Sequence, residues 1–210
     1  MRLAASIAMG LLPFCAWSQF HDQKHSFTVS AGAAQPRAGL RSLFADGPLV
    51  GVAYGFRLHR YFQADAGLDT VFGAAGVRDF LPTQFGDLRI RDYQFFVPLG
   101  ARAIAPLLND RIRISGGGGA AYLHYTERIQ QPFRDSNFRL DCPVCASRSG
   151  WGYYALAAAS VAVDRDRHFR VGVTSKVYRG HTEGDPLGSV PALRTRDHWV
   201  NIAGEFGFSF

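Results

Sequence analysis

Three groups of residues in this chain could do chemistry. The first is a set of charged side chains, Arg57, Asp65, Asp69, Arg102, Lys176 and Glu205, each inside a segment where polar and apolar residues alternate. A period of two puts such residues on one face of a β-strand, opposite the Val, Leu and Phe. Counted along the segments, Arg57, Asp65 and Arg102 fall at similar heights on three adjacent strands. Lys176 and Glu205 are level on neighbouring strands, with Asp69 at comparable height on the opposite wall. Opposite charges gathered in a narrow interior point to an ion-paired plug, because burying them unpaired would be costly. A proton relay or catalytic centre is the rival use, although perturbed ion pairs are more often structural.

The second group is Cys142-Pro143-Val144-Cys145. A metal site would need further ligands, and no Cys or His pair elsewhere has suitable spacing, so no metal is expected. A thiol redox centre wants a helix start after the first cysteine, which Ala146-Ser147-Arg148-Ser149-Gly150 does not suggest. In an exported chain a Cys142–Cys145 disulfide is the expectation. The third group is His181, Glu183 and His198 with Ser189, a conceivable hydrolytic set. Residue types without mutual geometry are weak grounds for catalysis, and a nucleophile without a placed base is inert. The expectation is a non-enzymatic protein without a cofactor.

The elements that must position these residues are strands. Eight segments read as strands: Ser26 to Gln35, Leu49 to Leu58, Phe62 to Phe72, Arg91 to Ala103, Arg111 to Tyr125, Tyr153 to Asp164, Phe169 to Arg179 and His198 to Phe210. In the third, Phe62, Ala64, Ala66 and Leu68 oppose Gln63, Asp65, Gly67 and Asp69. In the fourth, Phe95, Val97, Leu99 and Ala101 oppose Gln94, Phe96, Gly100 and Arg102. The connections alternate in strict order between short ones, His59 to Tyr61, Ile104 to Asp110 and Arg165 to His168, and long ones. An all-β, eight-stranded antiparallel up-and-down barrel sorts its loops this way. Parity by itself does not say which face points out, since a soluble lipocalin-like barrel also alternates. The polar face here is rich in Gly, Ala and Ser with one or two charges per strand, which suits a narrow lumen and puts the apolar face in lipid. Pro98 and the run Gly116 to Gly119 are awkward inside strands.

Aromatic residues near the strand ends suggest two interfacial girdles, Phe27, Phe56, Phe62, Phe169, Phe208 and Phe210 at one end and Phe72, Tyr93, Tyr122, Tyr153, Tyr178 and Trp199 at the other. The chain opens with Arg2, an apolar stretch Leu3 to Phe14 and Ala16-Trp17-Ser18, the pattern of a signal peptide over residues 1–18, which leaves 19–210 as one barrel domain. Hydrophobic residues make up 47% of the chain, yet no window approaches the ~20 apolar residues of a spanning helix. Any crossing would use strands. The formal net charge of +6 is carried almost wholly by arginine, interleaved with acidic residues and not gathered into a stripe, which argues against nucleic-acid binding.

Strand periodicity, loop asymmetry and the terminal Phe206-Gly207-Phe208-Ser209-Phe210 together resemble the small OmpA/OmpX-type outer-membrane barrels, over essentially the whole mature chain. The resemblance implies an outer-membrane location with both termini in the periplasm and a monomer surrounded by membrane lipid and lipopolysaccharide. It also implies that Phe206, Phe208 and Phe210 serve as a signal to the outer-membrane assembly machinery. Fold does not determine function in such barrels. A structural or adhesin-like surface-interaction role is expected. The arginines Arg37, Arg41, Arg78, Arg128, Arg134, Arg139, Arg148, Arg194 and Arg196 and the aromatics Phe44, Phe80, Phe85, Phe133 and Phe138 in the long loops would meet a surface protein or glycan. A lipid A-modifying enzyme and a narrow solute channel are the alternatives.

Overall fold

The computed structural model describes residues 23–83, 86–130, 142, 144–188 and 190–210; the expected signal peptide lies outside the described residues. Within them nine strands occur: β1 (His25–Pro36), β2 (Gly47–His59), β3 (Phe62–Phe72), β4 (Phe80–Thr83), β5 (Gly86–Leu107), β6 (Ile112–Gln130), β7 (Ser147–Ala162), β8 (Phe169–Gly184) and β9 (Thr195–Ser209). Eight of them close a ring of antiparallel neighbours in the order β1, β2, β3, β5, β6, β7, β8, β9. The first and last strands seal it, with Ser30 opposite Glu205 and Phe27 opposite Phe208. Closure leaves no free sheet edge along the barrel wall.

The period of two decides what each strand presents. Leu99 and Val173, at 63% and 61% exposure, stand on the outside, whereas Asp69, at 1%, stands inside. Val29, Val52, Phe56, Ile202, Phe206 and Phe208 continue the outer surface around the ring. Apolar residues therefore face outward, on a contiguous belt far larger than a water-soluble monomer exposes.

The structure differs from the sequence reading at the strand ends. The connection read from Gly73 to Ile90 contains β4, which pairs with an extension of β5 from Phe80 opposite Arg89 to Thr83 opposite Gly86. At 22 residues β5 follows a path of roughly 70 Å, well beyond a bilayer's hydrocarbon. β7 begins at Ser147, not Tyr153, and β8 runs on to Gly184. Polar residues such as Arg89, Arg148 and His181 interrupt the apolar pattern there, so backbone pairing continues while the alternation that marks a strand is lost.

The awkward residues are accommodated. Pro98, inward and buried, falls where the β3–β5 register steps from Ala66 opposite Leu99 to Asp69 opposite Phe96 without the two intervening pairs, so its missing N–H interrupts only that ladder. On its other side Pro98 stands opposite Ala121 of β6. Gly117 faces Arg102 so closely that an added Cβ would lie 2.6 Å from the Arg102 Cα. Three further inward glycines, Gly100, Gly119 and Gly152, meet neighbouring backbone in the same way. Close backbone approach of this kind marks the seam between β5 and β6 and continues into β7.

Candidate functional site

The ring brings inward-facing residues of all eight strands into one interior, which divides into three layers. The middle layer holds the charges. Arg102 Nε donates to Asp65 Oδ2 at 2.6 Å, and Gln63 Nε2 donates to Asp65 Oδ1 at 2.7 Å. Across the lumen Lys176 Nζ donates to both oxygens of Asp69 at 2.8 and 2.9 Å, and the Tyr178 hydroxyl donates to Asp69 Oδ2 at 2.7 Å. Each carboxylate thus receives a cation and a neutral donor, the arrangement that offsets the cost of a buried charge. Glu205 lies in the field of Arg102 and Lys176, and among the described residues it hydrogen-bonds to neither. Arg57 does not join Asp65. It lies nearer the turn end, within the field of Arg113 and Asp110.

Toward the loop end the interior is apolar and aromatic. Tyr178 and Trp199, expected in an outer girdle, are both fully buried and point inward. Each shares strand parity with a polar inward residue, Lys176 and Asn201 respectively, and that parity prevails over position near a strand end. Phe96 packs against Tyr178 at 4.8 Å and Trp199 at 5.7 Å between ring centroids. Phe44, from the loop after β1, stacks edge-on against Trp199 at 5.3 Å and Tyr125 at 5.6 Å. Phe44 is not on the loop surface that the sequence suggests; it is 3% exposed because the short 3-10 turn Ala38–Ser42 folds it and Leu40 over the barrel mouth. Ala74, Ala75 and Val77 of the next loop and Leu187 and Val190 of the last complete the same core.

Buried polar residues hold these loops in place. Asp92 takes backbone N–H bonds from Ala75 at 2.7 Å and Val77 at 3.0 Å, and Gln94 Nε2 adds a third at 2.7 Å. Arg148, expected as a loop-surface cation, is 2% exposed and points inward. Its guanidinium donates to the carbonyls of Thr182, Pro191 and Leu193 and to the hydroxyls of Thr182 and Thr195. Trp199 Nε1 donates to the Tyr125 hydroxyl, which donates to Asp197. Cys142 and Cys145 are joined in a disulfide and pack, half-buried, against this core. Arg37, Arg41, Arg78, Arg128, Arg194, Arg196 and Phe80 remain on the surface, whereas Phe85, Phe133, Arg134, Phe138, Arg139 and Ser189 lie outside the described residues. His181 and His198 are half-buried on the outer face of adjacent strands, where His181 stands opposite Arg196 and His198 opposite Arg179.

The turn end is polar. A cavity of about 60 Å³ is lined by Ser26, Thr28, Gln63, Arg102, Arg113, Ser160, Arg170 and Glu205 among others. Arg113 pairs with Asp110 through Nε at 2.7 Å and Nη2 at 2.5 Å. Burial pushes the Asp110 carboxyl up, but the hydrogen bonds and charge of Arg113 outweigh it and hold the group below its ordinary range. In the β7–β8 turn Asp164 accepts the backbone N–H groups of His168 and Phe169, both at 2.9 Å. The small desolvation there raises its carboxyl; those two donors more than offset it, so Asp164 too sits below the usual carboxylate value. Sequence reasoning missed Arg113 and Arg148 as interior residues and Asp110 as the turn carboxylate that holds Arg113. Arg113 shares parity with Ser115, a signal hidden by the glycine run that follows, and Arg148 precedes the point where alternation becomes visible.

No family model matches the chain, and no curated protein does. Solved structures do match. Neisserial surface protein A is similar over 89% of this chain and 97% of its own, at 10% identity and a TM-score of 0.51. A major outer membrane protein from Thermus thermophilus is similar over 89% and 99%, at 10% identity and a TM-score of 0.45. Ail, the attachment invasion locus protein of Yersinia pestis, follows at 88% and 99%, 12% identity and 0.42. The chain has the fold of the small eight-stranded outer-membrane β-barrels, and at this identity the likeness reaches the fold and no further.

Proposed function

We propose that this protein is a non-enzymatic bacterial outer-membrane barrel, its termini toward the periplasm and its loop end outward, that serves as a braced surface for contact with an external protein or glycan. The observation that carries this reading is the loop end itself. Three loops fold into the mouth, bury Phe44, Leu187 and Val190, and are tied down by Asp92 and Arg148. A surface braced in this way loses little conformational entropy on meeting a partner. It leaves Arg41, Arg78, Arg194, Arg196 and Phe80 exposed, residue types favoured in interfaces. The outer apolar belt supports immersion in lipid. The ion pairs of the middle layer support a plug: Asp65 with Arg102 and Asp69 with Lys176, with Arg57 and Glu205 adding charge at its margins. The terminal Phe206, Phe208 and Phe210 stand on the outer face, where assembly machinery could read them.

The test is carried out on intact cells expressing the full chain. Membrane-impermeant maleimide should label a cysteine placed at Arg194 and leave one at Arg165 unlabelled. Replacing Arg41, Arg78, Arg194 and Arg196 together should reduce adherence of those cells to protein- or glycan-coated surfaces. Labelling at Arg165 alone, or adherence unchanged by the fourfold replacement, would overturn the reading. Lipid A from a deletion strain should have an unaltered mass.

A further inference from the structure

We propose that the turn-end cavity of the barrel is a binding site for a small oxyanion of the phosphate class. The argument begins with charge. Around this part of the lumen Arg57, Arg102, Arg113 and Arg170 face Asp65, Asp110 and Glu205, one carboxylate short of neutrality. A guanidinium cannot shed its proton inside a protein to relieve that imbalance. Arg102 is committed to Asp65, and Arg113 takes both oxygens of Asp110. Among the described residues Arg57 and Arg170 are both left with no carboxylate in ion-pair contact, and of the two only Arg170 lines the cavity.

Arg170 is 5% exposed. Its Nη2 donates to the carbonyls of Asp110 and Arg111, at 3.0 and 3.2 Å, and its Nε reaches Ser160 Oγ at 3.4 Å. Nη1 is shut away from solvent and has no acceptor among the described residues. A buried cation with an unused donor is costly, and negative charge in the adjoining cavity lowers that cost through its field.

The cavity that Arg170 lines has matching chemistry. Ser26, Thr28, Ser115, Ser160 and Ser209 bring hydroxyl groups to its wall, and Arg102 and Arg113 bring further guanidinium edges. Hydroxyl donors with arginine are suited to a compact group with several acceptor oxygens. About 60 Å³ holds one small oxyanion or a few waters, and excludes a nucleotide. Glu205 is the one opposing group: its carboxylate lies on the same wall and repels an anion. That opposition gives the site a variant of either sign.

The experiment uses the full chain folded in a phosphate-free, non-ionic detergent and titrated with inorganic phosphate, followed by equilibrium dialysis and ³¹P line broadening. Heat-modifiable gel migration checks that each variant is folded. The wild type should take up one phosphate saturably, with sulfate competing. Glu205→Gln, which removes the repelling charge, should tighten binding several-fold, and Arg170→Gln should weaken it roughly tenfold or more. Absence of saturable uptake by the folded wild type, or affinity unchanged in Glu205→Gln, would overturn the proposal. Should Arg170→Gln fail to fold, the Glu205→Gln comparison alone decides. The result is independent of whether the loop end contacts a partner.

Discussion

Asp69 shows how a single residue constrains the interior. It is 1% exposed and holds Lys176 and Tyr178. Removing the cation strands the carboxylate, so Lys176→Met should cost about 3–5 kcal/mol, and adding Asp69→Asn should restore most of it. Urea unfolding of the barrel refolded in detergent measures both, and equal midpoints for wild type and Lys176→Met would contradict the pairing. Turn-end carboxylates add a pH dependence. Asp110 and Asp164 are held below their ordinary values in the folded chain. Their contribution is therefore present above the usual carboxylate pKa and is lost as pH falls through the depressed folded values. Unfolding at several acid pH values should show Asp164→Asn with a flatter acid limb than the wild type. These residues differ in how visible they are in sequence. Asp65 and Asp69 stand out as charges in an alternating strand. Asp110 and Asp164 look like ordinary turn residues until their backbone and arginine partners are located.

Among the elements, the seam between β5 and β6 is closely restricted. Gly100, Gly117 and Gly119 allow the two backbones to approach where a Cβ would meet the neighbouring strand. Gly119→Val should destabilise the barrel by about 1–3 kcal/mol through overpacking. A valine at outward Gly116, whose Cβ would meet only the Leu156 carbonyl at 3.7 Å, should be tolerated. Thermal or urea unfolding of the two variants side by side checks this, and equal losses would show that strand propensity and not backbone approach is the cause. The run of glycines is legible as an anomaly in the sequence. Its meaning is not, because the partner that forbids a side chain lies across the sheet. The same holds for β4 and the loop-end extensions, whose pairing partners likewise lie across the sheet.

At the scale of the whole molecule the interior is sealed near the loop end and polar near the turn end. Trp199, Tyr125, Phe96, Phe44 and Tyr178 form one aromatic assembly above the ion pairs. An eight-stranded ring has room for little more than its own side chains. The protein reconstituted in planar bilayers should therefore show no unit conductance steps at neutral pH. Steady openings by the wild type would mean that an aqueous path crosses these layers. The sequence by itself determined the eight wall strands over their alternating stretches, their parity and the alternation of short and long connections, because these rest on residues near one another in the chain, and that pattern pointed to the eight-stranded ring. Only the tertiary structure decided that Trp199, Tyr178, Phe44 and Arg148 belong to the interior, that Asp65 takes Arg102 and not Arg57, and that Arg170 is left over. Those outcomes depend on ring closure and on loops folding back into the mouth, which bring together residues as distant as Asp69 and Lys176.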